Sequence, residues 1–307
     1  MKKTRVISSR LVLALVAGVL LPVMARAQQV AITFDDLPVH SALPSGETRM
    51  QVAASVLQTL KAANMPPVYG FVNGVHLQRQ PQLIEVLDAW RAAGNPLGDH
   101  SWSHMDLNKN SLEEFESNVL QNQSVLRKAM GKDDWRWLRF PYLSEGDTQE
   151  KRAGVRAFLL QQGYRIAGVT MSFEDYAWNE PYARCSAKGD TAAITQLESS
   201  YLAAAASSID YYRGLSKTLY GRDIPYVLLM HIGAFDARML PRLLELYRSR
   251  GFTFITLNQA EKDEFYREDT DLALPPGPDN LEGAMWVRQM QPPARPHAPA
   301  SLQTICK

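Results

Sequence analysis

The chain has 307 residues, 46% of them hydrophobic and 21% charged, with 33 Lys and Arg against 32 Asp and Glu. Five of the basic residues and none of the acidic ones fall in residues 1–27, so the remainder carries 28 against 32, a formal charge of −4. That mildly acidic balance lacks the basic stripe that nucleic acid or an anionic membrane surface demands, and the length suits one large α/β domain or two small ones.

Lys2, Lys3, Arg5 and Arg10 precede an apolar run, Leu11–Leu21, and Ala25-Arg26-Ala27 is a small-x-small site. This layout predicts a signal peptide over 1–27, cleaved after Ala27, and hence an exported, periplasmic or extracellular protein without a stable membrane anchor. The run is too short for a spanning helix.

From Gln28 on, strands and helices alternate. A short β-branched run at Gln29–Phe34 reads as a buried strand. Arg49–Ala63 has helical periodicity, Pro67–Gly74 is a second strand closed by Asn-Gly, and Pro81–Ala93 is an amphipathic helix ended by Gly94. The segment 95–101 is a short polar strand or loop. Ser111 with Glu114 forms a capping box for a helix reaching Met130. A strand-like run at 134–142 and a helix over Gln149–Gln162 follow, then a strand at Tyr164–Met171. The chain continues as a long helical stretch from Asp190 to Tyr220, an apolar strand at Pro225–Gly233, a helix at Ala237–Arg250 and a last strand at Phe252–Leu257. Seven strands alternating with helices predict a parallel sheet closed into a barrel.

No linker interrupts 28–269, which reads as one catalytic domain; 270–307 is proline-rich and reads as an extended tail. The segment between Trp178 and Pro225 exceeds a minimal connection and is a candidate lid or wall. Cys185 and Cys306 are the only cysteines, a disulfide candidate that would staple the tail to the body.

Polar residues gather where strands end, the edge at which parallel α/β folds collect reactive groups. Asp35 and Asp36 are adjacent carboxylates that repel one another unless a cation lies between them or one is protonated; the alternative is a solvated acidic turn. His100 and His104, four apart, share one face of a helical turn and with Asp36 could bind one ion, leaving an open position for water. Arg139 could hold a carboxylate base ionised. His231, ending the most apolar strand, suits general acid chemistry, or is a core histidine.

"TFDD", "HSWSH", "RFPY" and "LLMH", in this order across residues 30–260, resemble the motif series of the polysaccharide deacetylase family, also called the NodB-homology or carbohydrate esterase 4 family. The resemblance implies a distorted (β/α)7 barrel and a divalent metal, usually zinc and sometimes cobalt or nickel. It implies an acetylated carbohydrate as substrate. Asp35 then corresponds to the catalytic base and Asp36, His100 and His104 to the metal triad, with Arg139 steadying the base. Pro141 and Tyr142 line the groove, a Tyr142 amide faces the oxyanion, Leu229 walls the acetyl pocket and His231 is the acid. The chain departs from the family where an Asp-Trp pair is usual. "SFEDYAWN" places Asp175 and Tyr176 there, or Ala177 and Trp178; the Asp175 frame is preferred, with Tyr176 and Trp178 as substrate-binding candidates. Two other functions compete: hydrolysis of a small or cyclic amide C–N bond on the same barrel, and non-catalytic carbohydrate binding.

Overall fold

The computed structural model describes residues 28–307; the expected leader lies outside the described residues. Seven strands run β1 (Gln28–Leu37), β2 (Tyr69–Val72), β3 (Leu97–Asp99), β4 (Trp137–Leu138), β5 (Arg165–Ile166), β6 (Tyr226–His231) and β7 (Phe252–Phe254). All pairings are parallel, in the order β5-β4-β3-β2-β1-β6, and β7 pairs with the start of β1. Past β5 the chain crosses to β6, where Met171 bridges Leu228. That contact closes the ring, giving an α/β distorted barrel.

Eleven helices are assigned among the described residues. They are α1 (Arg49–Ala62), α2 (Val75–Arg79), α3 (Ile84–Ala92), α4 (Leu112–Met130), α5 (Gln149–Gln161), α6 (Asn179–Ala187), α7 (Thr191–Tyr220), α8 (Ala234–Ser249), α9 (Leu257–Ala260), α10 (Arg267–Thr270) and α11 (Leu281–Val287). The capping box before α4 forms as its spacing predicts: Ser111 Oγ accepts from the Glu114 amide, and Glu114 accepts from the Ser111 amide. β1 is buried on both faces through its middle, as a central parallel strand must be.

Three expectations change. The strands at 134–142 and 164–171 shorten to two residues each, because the flanking segments bend away to carry site residues and to reach β6. The long stretch after Trp178 is no lid. It folds as α6 and α7, and α7 buries Leu197, Tyr201, Ala205, Ile209, Tyr212 and Leu215 against the barrel. Each fully buried Leu or Ile contributes about 1.5–3 kcal/mol, so lifting such a helix is prohibitive.

The tail, too, is packed rather than merely extended. Asn280 caps α11 by accepting from the Gly283 amide, and Leu281, Ala284 and Met285 form an apolar stripe in the common core. Leu302 is buried as well, Arg184 donates to the Leu302 carbonyl, and Cys185 is bonded to Cys306. No helix of the described residues is long and apolar enough to cross a membrane.

Candidate active site

In a regular strand Asp35 and Asp36 would point to opposite faces. Between Phe34 and Leu37 the pairing with β2 slips by one residue (Phe34 with Gly70, Leu37 with Val72), and Asp36 takes φ 65°. This bulge brings both carboxylates into one cleft of about 580 Å³ at the C-terminal edge of the sheet. His231 enters beside them because β6 pairs in register with β1, Asp35 opposite His231.

Asp36 Oδ1 lies 3.5 Å from His100 Nε2 and 3.5 Å from His104 Nε2. It is buried and has no hydrogen-bond partner, whereas Oδ2 is 2.8 Å from His40 Nδ1. A buried carboxylate oxygen left unpaired between two imidazoles costs free energy unless something else binds it. The three donor atoms lie within 4.8 Å of one another, so one divalent ion would satisfy them all and keep an open position. His100 Nδ1 is 2.7 Å from the Arg139 carbonyl, which aims Nε2 into the cleft. Asn73 Nδ2 holds the His100 carbonyl at 2.6 Å.

Burial pushes the Asp36 carboxyl up, but the His40 hydrogen bond and the charges of His100, His231 and His40 outweigh it and hold the group well below the usual carboxylate range. Burial pushes His104 down to about 4, helped by His100 and opposed by Asp36 and Asp35. Asp36 is therefore an anion and His104 a neutral imidazole at neutral pH, the forms that ligate metal. The helical turn expected for the two histidines is not there. Residues 100–106 form an irregular loop in which Ser101 (φ 60°) and His104 (φ 56°) are left-handed. The loop coils tightly enough to converge both rings, their centroids 4.9 Å apart.

Asp35 and Arg139 are both buried, and the guanidinium Nη1 lies 3.1 Å from Asp35 Oδ1 and 3.3 Å from Oδ2. The remaining donors are used: Nε binds the Ala167 carbonyl and Nη2 the Thr33 hydroxyl. Arg139 thus has one position, with its plane over Phe71. Opposite, Asp175 Oδ1 is 2.9 Å from His231 Nδ1, and Oδ2 accepts from the His231 amide at 2.6 Å. Burial disfavours the His231 cation, but the charge and hydrogen bond of Asp175, with Asp36 and Asp35 behind it, push its pKa up to about 10. A protonated imidazole with Nδ1 tied and Nε2 free can donate a proton into the cleft.

Tyr142, Tyr176 and Leu229 line the cleft. Tyr142 is 64% exposed beside His104, and Tyr176 is 47% exposed beside His231, so each offers a ring face to a ligand. Two expected substrate contacts do not reach it. Pro141 is buried and starts the turn that presents Tyr142. Trp178 is fully buried, its Nε1 donating to Ser200 Oγ of α7, because the 3-10 turn after Asp175 rotates it into the core.

Three titratable lining residues escaped the sequence reading: His40, Glu174 and Arg295. His40 follows Asp36 by four residues, a weak signal; Glu174 directly precedes Asp175; Arg295 carried none. Asp36, His104, Tyr142, Leu143 and Glu174 all line the cleft with positive φ. Such conformations concentrate where a fold holds groups for chemistry.

Residues 24–158 match the polysaccharide deacetylase family. The peptidoglycan-N-acetylglucosamine deacetylase PgdA of Listeria monocytogenes is 31% identical over 99 residues, 32% of this chain and 18% of that protein. Its counterpart in Bacillus cereus is 24% identical over 134 residues, 44% of this chain and 43% of that protein. The chain thus spans less than half the length of these curated relatives. Among solved structures, the chitin deacetylase of the fungus Colletotrichum lindemuthianum aligns with a TM-score of 0.52 at 23% identity, covering 77% of this chain and 88% of that one. A CE4 family pseudoenzyme from Bacillus anthracis aligns at 0.54 and 14% identity, covering 76% and 66%. One fold thus hosts a deacetylase and a pseudoenzyme, so activity must be argued from side chains.

Proposed function

We infer that the chain, whose residues 24–158 match the polysaccharide deacetylase family, is an exported, metal-dependent hydrolase removing N-acetyl groups, or O-acetyl groups, from a polysaccharide or oligosaccharide. The observation that carries this reading is the unpaired, buried Asp36 Oδ1 facing His100 and His104 at 3.5 Å, with Asp35 and His231 on the same cleft. A degenerate, non-catalytic barrel has no need to keep that costly arrangement beside a locked carboxylate and a tied imidazole. Two exposed tyrosines at the cleft suit sugar rings better than a small cyclic amide.

Asp36, His100 and His104 are the residues that would hold zinc, or cobalt or nickel. A divalent ion there supplies Lewis-acid polarisation of the acetyl carbonyl and makes a water molecule acidic enough to ionise near neutrality. Asp35, held by Arg139, accepts the proton of the attacking water. The Tyr142 amide is the proposed oxyanion donor, a contact worth about 3 kcal/mol. Leu229 shapes the space for the acetyl methyl. His231 Nε2 gives its proton to the leaving amine or alkoxide while Asp175 fixes the ring.

The test is acetate release from chito-oligosaccharides, acetylated xylan and peptidoglycan, with zinc, cobalt and nickel each returned to metal-depleted protein. Metal-dependent release from one of them is expected. Release that persists at full rate without added metal, or no release from any, defeats the reading.

A further inference from the structure

The final segment of the chain returns to the cleft. Residues 293–298 pass its rim and bring Arg295 to it, the one lysine or arginine among the lining residues. The backbone around Arg295 is tied on both sides. Tyr211 donates its hydroxyl to the Pro293 carbonyl at 3.3 Å, while the Glu174 carboxylate lies 2.8 Å from His297 Nδ1 and accepts from the Ala298 amide at 2.8 Å. Pro292, Pro293, Pro296 and Pro299 restrict φ throughout this strap, so it is stiff before any ligand arrives. The Cys185–Cys306 bond and the Arg184 contacts to Leu302 and Ile305 hold its far end.

Arg295 is exposed, its guanidinium carbon lies 5.9 Å from the centre of the Tyr212 ring, and no carboxylate of the described residues pairs with it within 4.0 Å. Glu174, which lines the same cleft, already spends both oxygens on the strap. A cation held on a rigid segment at a catalytic rim, with its own hydrogen-bond fork free, is preorganised for a planar anion. Deeper in the cleft the charges are already matched: Asp35 faces Arg139, Asp36 faces the candidate ion site, and the His231 cation faces Asp175, which leaves Arg295 and Glu174 as the charged groups of the rim. One guanidinium fork matches the single charge and planar shape of a carboxylate; a phosphate dianion would keep one charge unmatched, with Glu174 on the same rim.

We propose that Arg295 is a specificity-determining residue that receives a carboxylate borne by the acetylated sugar chain, one ring away from the acetyl group under attack. The idea deepens the deacetylase reading and rests on it for the nature of the substrate. With Arg295 on the rim, acidic glycans are preferred over neutral ones of equal size.

Three proteins and two probes test it. The proteins are wild type, Arg295→Gln and Arg295→Lys. The probes are a tetrasaccharide alternating N-acetylglucosamine with N-acetylmuramic acid, and the same molecule with its carboxylates converted to methylamides. Both Kd by calorimetry and KM for acetate release are measured on the zinc-loaded protein. Wild type is expected to favour the acid over the amide about tenfold, R295Q to lose that ratio, and R295K to recover about threefold, since an ammonium keeps the charge but not the fork. A wild-type ratio of one, or a ratio unchanged in R295Q, overturns the proposal. If neither probe releases acetate, the Kd ratio still decides Arg295 by itself, while the deacetylase reading stands or falls on the wider panel of chito-oligosaccharides, acetylated xylan and peptidoglycan.

Discussion

The two walls of the cleft are built on different principles. On one, Asp35, Asp36, His100, His104 and Arg139 lie on or just beyond strands β1, β3 and β4, and all fall inside the residues that match the deacetylase family. On the other, only Leu229 and His231 sit on a strand; Glu174, Asp175 and Tyr176 come from the segment that enters a 3-10 turn, and Arg295 from the C-terminal strap. The first wall is positioned by neighbouring backbone ladders. The second depends on contacts between residues far apart in sequence, such as His231 with Asp175 and Glu174 with His297. The difference teaches that groups set on strand ends and groups set on loops and a terminal strap can share one cleft while being held by different kinds of contact.

The strongest way to break this division is to empty the first wall. His100→Ala should remove the ion site and lower kcat/KM for acetate release by at least about 10³-fold, since an ion contributes several kcal/mol of charge stabilisation and each 1.4 kcal/mol is tenfold. Bound zinc, counted on the purified variant, should fall in step. Activity surviving with no bound metal would place the chemistry elsewhere. Arg139→Met should instead cost folding stability, about 3–5 kcal/mol, because Asp35 becomes a buried charge without its partner. Urea unfolding measures it; a loss below about 1 kcal/mol would mean that Asp35 relaxes or is protonated freely.

The sequence revealed the first wall well, for a physical reason. Asp35-Asp36 end an apolar run and His100 follows a short strand, and strand ends in a parallel barrel converge whatever the loops do. What stayed hidden was how they converge: the bulge at Asp36 and the left-handed loop to His104 are backbone events with no glycine to announce them. The second wall was half visible. Asp175 could be placed only as one of two frames, and only the geometry shows its carboxylate on His231 while Trp178 turns inward. Arg295 lay in a proline-rich segment that looked detached. The stripe of Leu281, Ala284 and Met285 that docks this segment was present in the sequence, but seven helical residues are too few to announce a helix by periodicity.

Two substitutions sharpen the second wall. Cys185→Ser opens a link between residues 121 apart, and losing such a link typically costs about 2–4 kcal/mol of stability. Thermal unfolding with and without reductant reads this; identical curves would show that α11 alone secures the strap. Asp175→Asn should lower kcat about 10²-fold, the usual scale of a positioned acid, and move the alkaline limb of kcat/KM to lower pH. The sign follows from His231, whose pKa rises from an ordinary 6.5 to about 10 on folding. The stability this contributes is fully present below pH 6.5 and is lost as pH rises through about 10. The wild type should therefore exceed the variant in stability most at pH 6 and least near pH 10. An unmoved alkaline limb would remove Asp175 from the role of orienting His231.

The smallest effect tests the correction to the second wall. If Trp178 stacked on sugar, replacing it would raise KM. Its ring instead lies in the core against Phe173 and Tyr201, and its one polar atom donates to Ser200 Oγ at 2.9 Å. Trp178→Phe keeps an aromatic body there and deletes that hydrogen bond, so stability should drop by about 1 kcal/mol from the bond plus a small packing loss. KM for any acetylated oligosaccharide should stay within about twofold, since the cavity opens toward α7 and not toward His231. Tyr176→Ala is the counterpart: its ring stands 47% exposed beside His231, and losing one sugar-facing aromatic should raise KM severalfold with little change in stability. The opposite pairing of effects would return Trp178 to the substrate and make Tyr176 the packing residue.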